Sequence, residues 1–353
     1  MKCGIVTVYN SENCGSFLQA YALSRALENE GHEAVFVRQA FGDHSASRSN
    51  YFKQIVKTML KGRLSAAKRL AKRRAVYKDA CERHFNIVPQ SEHLPAYILG
   101  SDVIWDVTVP FFKNHIPFFF GTQFRGARVI SYAPAVGFAK EKDISACPEI
   151  QAALNSMHAV SVRDDISREL LGPLCEKKIE KVCDPTYLVN REVYDEIAAP
   201  CELDNFIFLY YYGNMTDSDR EALLSLAKSE GLTIVTFGNF NPWCDMSLAY
   251  DPLLFLSLYK KAKYIVTNTF HGTVFATIYE KRFAIIKNEI PKVIDVLRLC
   301  ALSDKMTSCA DDISRILHSH FDYETTRGNI SAERERSLDY LRGALLERGE
   351  NEE

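Results

Sequence analysis

Along most of this chain short apolar runs alternate with stretches of helical periodicity, and that alternation limits the fold more than any other feature. The runs are Gly4–Val8, Ala34–Val37, Ala96–Leu99, Arg128–Tyr132, Ala159–Val162 and Lys181–Asp184, then Phe206–Tyr211, Thr233–Phe237, Tyr264–Thr267 and Phe283–Ile286. They are rich in Val, Ile, Phe and Tyr and lack strict apolar–polar alternation. Strands covered by helices on both faces of a parallel sheet read this way. Between them, Phe17–Glu30 carries Leu18, Tyr21, Ala22 and Leu27 at helical spacing and stops at Gly31, a residue suited to a helix C-terminus. The pattern predicts an α/β chain of doubly wound layers.

The chain has 353 residues, room for two cores at ~150 residues per domain. A boundary is expected at Ile197–Pro200, giving a first domain over 1–198, a second over 201–325, and a terminal helix with a frayed end over 330–353. Ser331 is the expected N-cap of that helix, and Leu338, Leu341 and Leu345 its apolar stripe. Two α/β domains of unequal size with a cleft between them would result.

Several classes are excluded at this level. Hydrophobic residues make up 47% of the chain, too many for disorder as the main state. A net charge of −2 supplies no basic field, so a nucleic-acid partner is not expected. No apolar run reaches the length of a membrane span, and the N-terminal run is too short for a signal peptide. The ten cysteines are scattered without metal-ligand spacing, so no metal site is expected and the thiols read as free, in a cytoplasmic protein.

One stretch breaks the pattern. Residues 45–85 read as a basic helical insert, in which Lys53, Lys57, Lys61, Arg63, Lys68, Arg69, Lys72, Arg73, Arg74 and Lys78 stand with no acid among them. Phe52, Ile55, Val56, Met59 and Leu60 form an apolar stripe. The stretch is either a solvated face or, through residues 53–78, a contact with an anionic partner: a membrane at its inner face, a lipid-linked diphosphate or an acidic glycan.

Candidate chemistry gathers where strands turn into helices. Thr267, Asn268, Thr269, Phe270, His271, Gly272 and Thr273 end one strand and start a helix. A helix start attracts anions and disfavours an imidazolium, whereas a bound anion favours it. His271 is therefore either a capping residue or a general acid–base whose charge changes as substrate arrives. The first strand ends in a similar turn, Asn13, Cys14, Gly15 and Ser16, which reads equally as a cap or a ligand loop. It lacks the glycine pattern of a dinucleotide site and the lysine of a P-loop. At a third strand end, Asp102 could bind a sugar hydroxyl and Trp105 could stack on a sugar face, or both could be structural. Arg163 follows a fourth strand and either holds an anion or pairs with Asp164 or Asp165. Lys292 and Arg298 lie on a helical stretch that could fold over the His271 turn.

In this order the motifs resemble the polysaccharide pyruvyl transferase family. The segments concerned are Asn13–Leu23 with Gly15, Leu18 and Gln19; Ser101, Asp102 and Trp105; Ile130–Pro134 with Gly137; Ser161–Arg163; Asp184–Thr186; and Thr269–Thr273 around His271. Asn268 stands where many members have Asp, Phe270 where some have Arg, Lys292 where Arg is common, and Ala135 where Ser is expected. The resemblance implies two Rossmann-like domains with an interdomain cleft, similar to the GT-B glycosyltransferase architecture. It implies transfer of pyruvate from phosphoenolpyruvate onto two hydroxyls of a sugar, forming a cyclic ketal on a cell-surface polysaccharide or its lipid-linked precursor. His271 and Asp102 would be catalytic; Arg163, Thr269, Gly272, Thr273, Lys292 and Arg298 would bind the donor; Asn13, Gly15, Ser16 and Trp105 would face the acceptor. Phosphoenolpyruvate would be a substrate, with no cofactor and no metal. Nucleotide-sugar glycosyl transfer on the same fold and non-catalytic glycan binding are the alternatives.

Overall fold

The computed structural model describes residues 1–39, 64–238, 241–286 and 290–346, with the backbone alone for 64–72. Most of the basic stretch 53–78, and the membrane contact expected of it, therefore lies outside the described side chains. Of its cations, Arg73, Arg74 and Lys78 are placed, on the helix Leu64–His84.

The first sheet is built from β1 (Lys2–Val6), β2 (Glu33–Val37), β3 (Ile87–Val88), β4 (Ala96–Leu99) and β5 (Arg128–Ser131), in the order β3-β2-β1-β4-β5. All its pairings are parallel. A bridge between Ile130 and Ala159 leads on to the parallel pair β6 (Val160–Val162) and β7 (Ile179–Lys181). The second sheet takes β8 (Phe206–Tyr210), β9 (Thr233–Phe237), β10 (Met246–Leu248), β11 (Tyr264–Thr267), β12 (Arg282–Ile286) and β13 (Met306–Thr307), ordered β10-β9-β8-β11-β12-β13. It too is parallel. Each sheet runs outward from its first strand and then reverses, so each has a switch point: β1 beside β4, and β8 beside β11. Ligand crevices of open α/β sheets lie outside the strand C-termini at such points.

The absence of alternation in the apolar runs has a direct cause. Along β8, Phe206, Phe208 and Tyr210 enter one core while Ile207 and Leu209 enter another. Successive side chains point to opposite faces, and helices cover both. The first of these cores also joins the two halves: Cys14, Phe17 and Tyr21 of the helix Cys14–Asn29 share it with Phe255, Tyr259 and Phe275 from beyond β8.

The chain ends by crossing back. The terminal helix spans Tyr323–Leu345, and its N-cap is Asp322, whose side chain accepts from the Thr325 amide. It begins a full turn and more before the expected start, and Ser331 is an interior residue. Gly328 and Asn329 interrupt the apolar spacing there, which hid the first turns from periodicity. The helix docks on the first sheet through Tyr340, whose hydroxyl donates to the Ser131 carbonyl at 2.9 Å, and through Arg342, which forks onto Glu30 at 2.7 and 2.9 Å. No helix among the described residues is long and apolar enough to cross a membrane.

Leu341 is fully buried beneath this helix, whereas the Arg342 side chain is 40% exposed. Leu341→Ala should destabilise the protein by ~2–5 kcal/mol. Arg342→Ala should barely move the unfolding midpoint, because solvent screens its ion pairs. Urea denaturation of the two variants checks the contrast.

Candidate active site

Each half presents its switch-point loops to the other. In the first half, Asn13 caps the first helix, its Oδ1 accepting from the amides of Gly15 at 2.8 Å and Ser16 at 3.4 Å. Ser16 Oγ donates to Asp102 Oδ2 at 2.5 Å. Asp102, in the loop after β4, has a positive φ of 73°. Its other oxygen accepts from the Val103 amide at 2.8 Å. Asp tolerates this left-handed conformation because its short side chain bonds locally. The two loops are tied by Thr7, whose Oγ1 donates to the Ser101 carbonyl at 2.9 Å.

In the second half, Thr269 caps the helix Phe270–Ile278. Its Oγ1 accepts from the Gly272 amide at 3.0 Å, and its carbonyl accepts from the Thr273 amide at 3.0 Å and the Thr273 hydroxyl at 2.9 Å. This corrects one expectation. Gly272 and Thr273 have no amide to offer an anion, because the cap already uses both. Thr269, Gly272 and Thr273 position the turn. Among the described residues the amides with no partner at this helix start are those of Phe270 and His271, the first two of the helix. Gly272 is needed for packing: a Cβ there would stand 2.2 Å from Thr267 Oγ1.

The halves meet at the His271 ring. A Cβ on Gly15 would lie 2.0 Å from His271 Nδ1, so the first helix approaches the imidazole as closely as a bare backbone allows. The other face of the ring looks toward Asp184, whose Oδ2 lies 3.8 Å from Nε2. Asp184 is held three ways: Oδ2 accepts from Arg163 Nη1 at 2.9 Å, and Oδ1 accepts from the Thr186 amide at 3.1 Å and hydroxyl at 2.7 Å. The partner of Arg163 is thus Asp184, 21 residues on, rather than Asp164 or Asp165. Asp164 caps the following helix and Asp165 pairs with Arg168 and Lys181. The sequence showed Asp184 as the end of a strand; its Asp-Pro-Thr signature, an acid capping a short turn at a strand end, was the available signal.

Phe270 joins the cations. The Arg163 guanidinium lies 4.6 Å and the Lys292 ammonium 5.5 Å from its ring centroid. Lys292 has no carboxylate within ion-pair distance among the described residues. Arg163, Phe270, Asp184 and Lys292 line a pocket of about 330 Å³ that opens past Arg298. Arg298 stands at its rim, its side chain 72% exposed and 3.8 Å from Asp295.

Trp105 does not fit its expected role. It is fully buried, its indole N–H donating to the Phe119 carbonyl at 3.0 Å and its ring stacked on Phe120. Phe112, Ile116, Phe118 and Phe119, from the two short helices beyond it, share its core.

The charges divide cleanly. Burial pushes the Asp102 carboxyl up, but Arg163, His271 and the bonds from Ser16 and Val103 outweigh it and hold it below its usual value. Burial likewise raises Asp184, and His271, Arg163 and Thr186 bring it below the ordinary carboxylate value. Both acids are ionised near neutrality. For His271, burial lowers the pKa, Asp184 and Asp102 oppose, Arg163 and Lys292 assist, and the net direction is down. Its imidazole is neutral near pH 7, with Nε2 lacking a hydrogen-bond partner. Burial and Arg163 also lower the Lys292 pKa against the pull of Asp102, Asp164 and Asp184. The site can receive an anion, move a proton at His271 and accept a hydrogen bond at Asp102.

Known structures share this architecture. UDP-GlcNAc 2-epimerase from Methanocaldococcus jannaschii is 11% identical, with 96% of this chain and 100% of that chain covered at a TM-score of 0.51. The Staphylococcus aureus MnaA–UDP co-structure is also 11% identical, with 100% and 99% covered at a TM-score of 0.51. At these identities the likeness shows a GT-B-like fold alone. No curated protein matches the chain. A model of the polysaccharide pyruvyl transferase family matches residues 13–289, a span that opens at the Asn13 cap, closes past the His271 helix and stops just before Lys292. With that match over most of its length, and with the Asn13–Ser16 turn, Asp102, Arg163, Asp184 and His271 drawn to one point inside the span, the chain belongs to the polysaccharide pyruvyl transferase family of enzymes.

Proposed function

We propose that this enzyme transfers pyruvate from phosphoenolpyruvate to two hydroxyls of one sugar, closing a cyclic ketal on a cell-surface polysaccharide or its lipid-linked precursor. The observation that carries this reading is the Lys292 ammonium, without a carboxylate partner among the described residues, which lines one pocket with Arg163 and Phe270, the residue next to the neutral His271. A donor with a carboxylate and a phosphate would pair with that ammonium. Arg163 and Lys292 hold it, Arg298 meets it at the rim, and the Phe270 and His271 amides face it.

The anion raises the pKa of His271, which takes up a proton. The imidazolium then protonates the terminal enol carbon, leaving a cationic centre at the carbon that bears phosphate. One sugar hydroxyl attacks that carbon and its proton passes to Asp102, then returns to the imidazole. The carbon–oxygen bond to phosphate breaks, the second hydroxyl closes the ring, and its proton leaves with phosphate. Two hydroxyl protons are lost, one to the new methyl group and one to phosphate. Ser16 holds Asp102 in place, Asn13 fixes the turn that carries Ser16, and no metal or cofactor enters the scheme.

His271→Ala should lower phosphate release from phosphoenolpyruvate by ~10²–10⁴ while leaving the melting temperature near that of the parent; a loss of only a fewfold would make His271 a cap and remove the mechanism. The proton uptake has its own readout. The free imidazole titrates below its ordinary ~6.5 and is uncharged at pH 7, so donor binding at that pH should be accompanied by proton uptake. Calorimetry in buffers of different ionisation enthalpy measures it, and His271→Gln should abolish it.

Gly15→Ala tests the contact between the halves. Position 15 is helical, so alanine suits the backbone, and the added methyl meets the imidazole. Turnover should fall, and stability should drop by the ~1–3 kcal/mol typical of an overpacked contact. Unchanged turnover would mean that the imidazole works equally well when displaced.

A further inference from the structure

A second cavity, of about 460 Å³, lies beside the pocket of Lys292 and shares no lining residue with it. Two elements separate them. The terminal helix gives Ile330, Ser331 and Arg334 to the second cavity, and Glu333 and Arg336 to the first. The segment that follows Asp184 gives Tyr187 to the first and Val189 to the second, and the Tyr187 hydroxyl pairs with Thr277 of the second at 2.8 Å. The second cavity is therefore not an extension of the candidate active site.

Its charged lining is three arginines, Arg191, Arg327 and Arg334, against two acids, Glu192 and Glu280. Arg191 stands 4.0 Å from Asp195. Arg327 bonds Glu280 at 2.9 and 3.1 Å, but its side chain is 62% exposed, so water screens the pair and exchange costs little. Arg334 is different. It is half-buried and has no carboxylate within ion-pair distance among the described residues. Burial lowers its pKa, and Cys183, Tyr194, Glu335 and Glu192 oppose without reversing the direction. It donates to three neutral oxygens: the Tyr187 carbonyl at 2.5 Å, the Val189 carbonyl at 3.3 Å and the Asn190 side chain. A guanidinium carries five N–H donors in a rigid plane. Two remain, one on each terminal nitrogen, on a group that three bonds already hold still. Such a donor pair binds an oxyanion with little further loss of freedom.

We propose that this cavity is a second oxyanion site, which takes the phosphate of a small organic phosphate ester. Arg334 receives the phosphate, and Arg327 exchanges Glu280 for it. The two arginines are seven residues apart on one helix face, ~10.5 Å along the axis. A phosphate has three terminal oxygens and nearly two charges near neutrality, enough to engage both groups, where a carboxylate has two oxygens and one charge. The buried Val189 and Ile330 side chains supply an apolar floor for the body of the ester. Because Arg334 also holds the segment after Asp184, the ligand braces that segment as it binds. The site does not depend on the pyruvyl-transfer reading.

Calorimetric titration with glucose 1-phosphate, inorganic phosphate and glucose tests it. Glucose 1-phosphate should bind and raise the melting temperature, inorganic phosphate should bind more weakly because it leaves the apolar floor uncovered, and glucose should not bind. Arg327→Ala should weaken the ester about tenfold, as loss of a charge-assisted bond does. Ser331→Glu keeps the fold, since position 331 is exposed and helical, and sets a carboxylate three residues from Arg334 and four from Arg327. It should weaken the ester by at least tenfold. Lys292→Ala should bind the ester as the parent does. The proposal is overturned if glucose 1-phosphate does not bind, if glucose or inorganic phosphate binds as tightly, or if Ser331→Glu leaves its affinity unchanged. Loss of binding in Lys292→Ala alone would put the phosphate in the other pocket and equally overturn it. Absent phosphoenolpyruvate binding, with the ester still sensitive to Ser331→Glu, would remove the donor reading and leave this site.

Discussion

The ion pair between Arg163 and Asp184 underlies the arrangement of the whole site. Its side chains are only 4% and 1% exposed, and two charges so deeply placed lose several kcal/mol of hydration each. Such a pair persists where the remaining carboxylate oxygen is bonded and the guanidinium has a surface to lie against. The free oxygen of Asp184 is taken by Thr186, while Arg163 lies against the Phe270 ring and keeps Nε without a hydrogen-bond partner. The pair also sets the field around His271. Asp184 is near enough to support an imidazolium, and Arg163 near enough to oppose one, which leaves burial to decide the resting state in favour of the neutral ring.

Asp184 depends in turn on the end of the chain. Ser337 of the terminal helix accepts from the Cys183 amide at 3.0 Å, and Arg334 donates to the Tyr187 carbonyl at 2.5 Å and the Val189 carbonyl at 3.3 Å. These bonds lie on both sides of Asp184, so a helix more than 140 residues downstream in sequence fixes the turn that carries it. A guanidinium closing free carbonyls at the end of a short helical turn is an ordinary use of arginine. Its consequence is that the candidate site draws on both sheets and on the terminal helix at once.

The fold was largely legible in the sequence because strands buried on both faces leave a composition that survives without context. Ala96–Leu99, Thr233–Phe237 and Tyr264–Thr267 coincide with observed strands. The first strand is displaced toward the N-terminus, to Lys2–Val6, since Thr7 and Val8 continue the buried run past the paired residues. Ile87–Val88 and Met306–Thr307 are too short to show any period. Candidate site residues that the structure brings together were legible where a turn announced them, as at Asn13, Asp102 and His271. Trp105 misled because residue type carries no burial. Asp184 escaped because its meaning comes from Arg163 and His271, which are neighbours in space only. The spent amides of Gly272 and Thr273 followed from Thr269 capping its own helix, a local competition between side chain and ligand that spacing does not reveal.

The bare backbone of Gly15 against the His271 ring ties chemistry to shape. The imidazole is desolvated by the opposite half of the molecule as much as by its own helix. Were the two halves to part, water would reach the ring and its proton affinity would return toward that of free histidine. The proton affinity of this one side chain thus reports whether the cleft is shut. An anion arriving at a shut cleft would meet a neutral ring ready to be charged, whereas at an open one it would meet an imidazole already hydrated like any surface histidine.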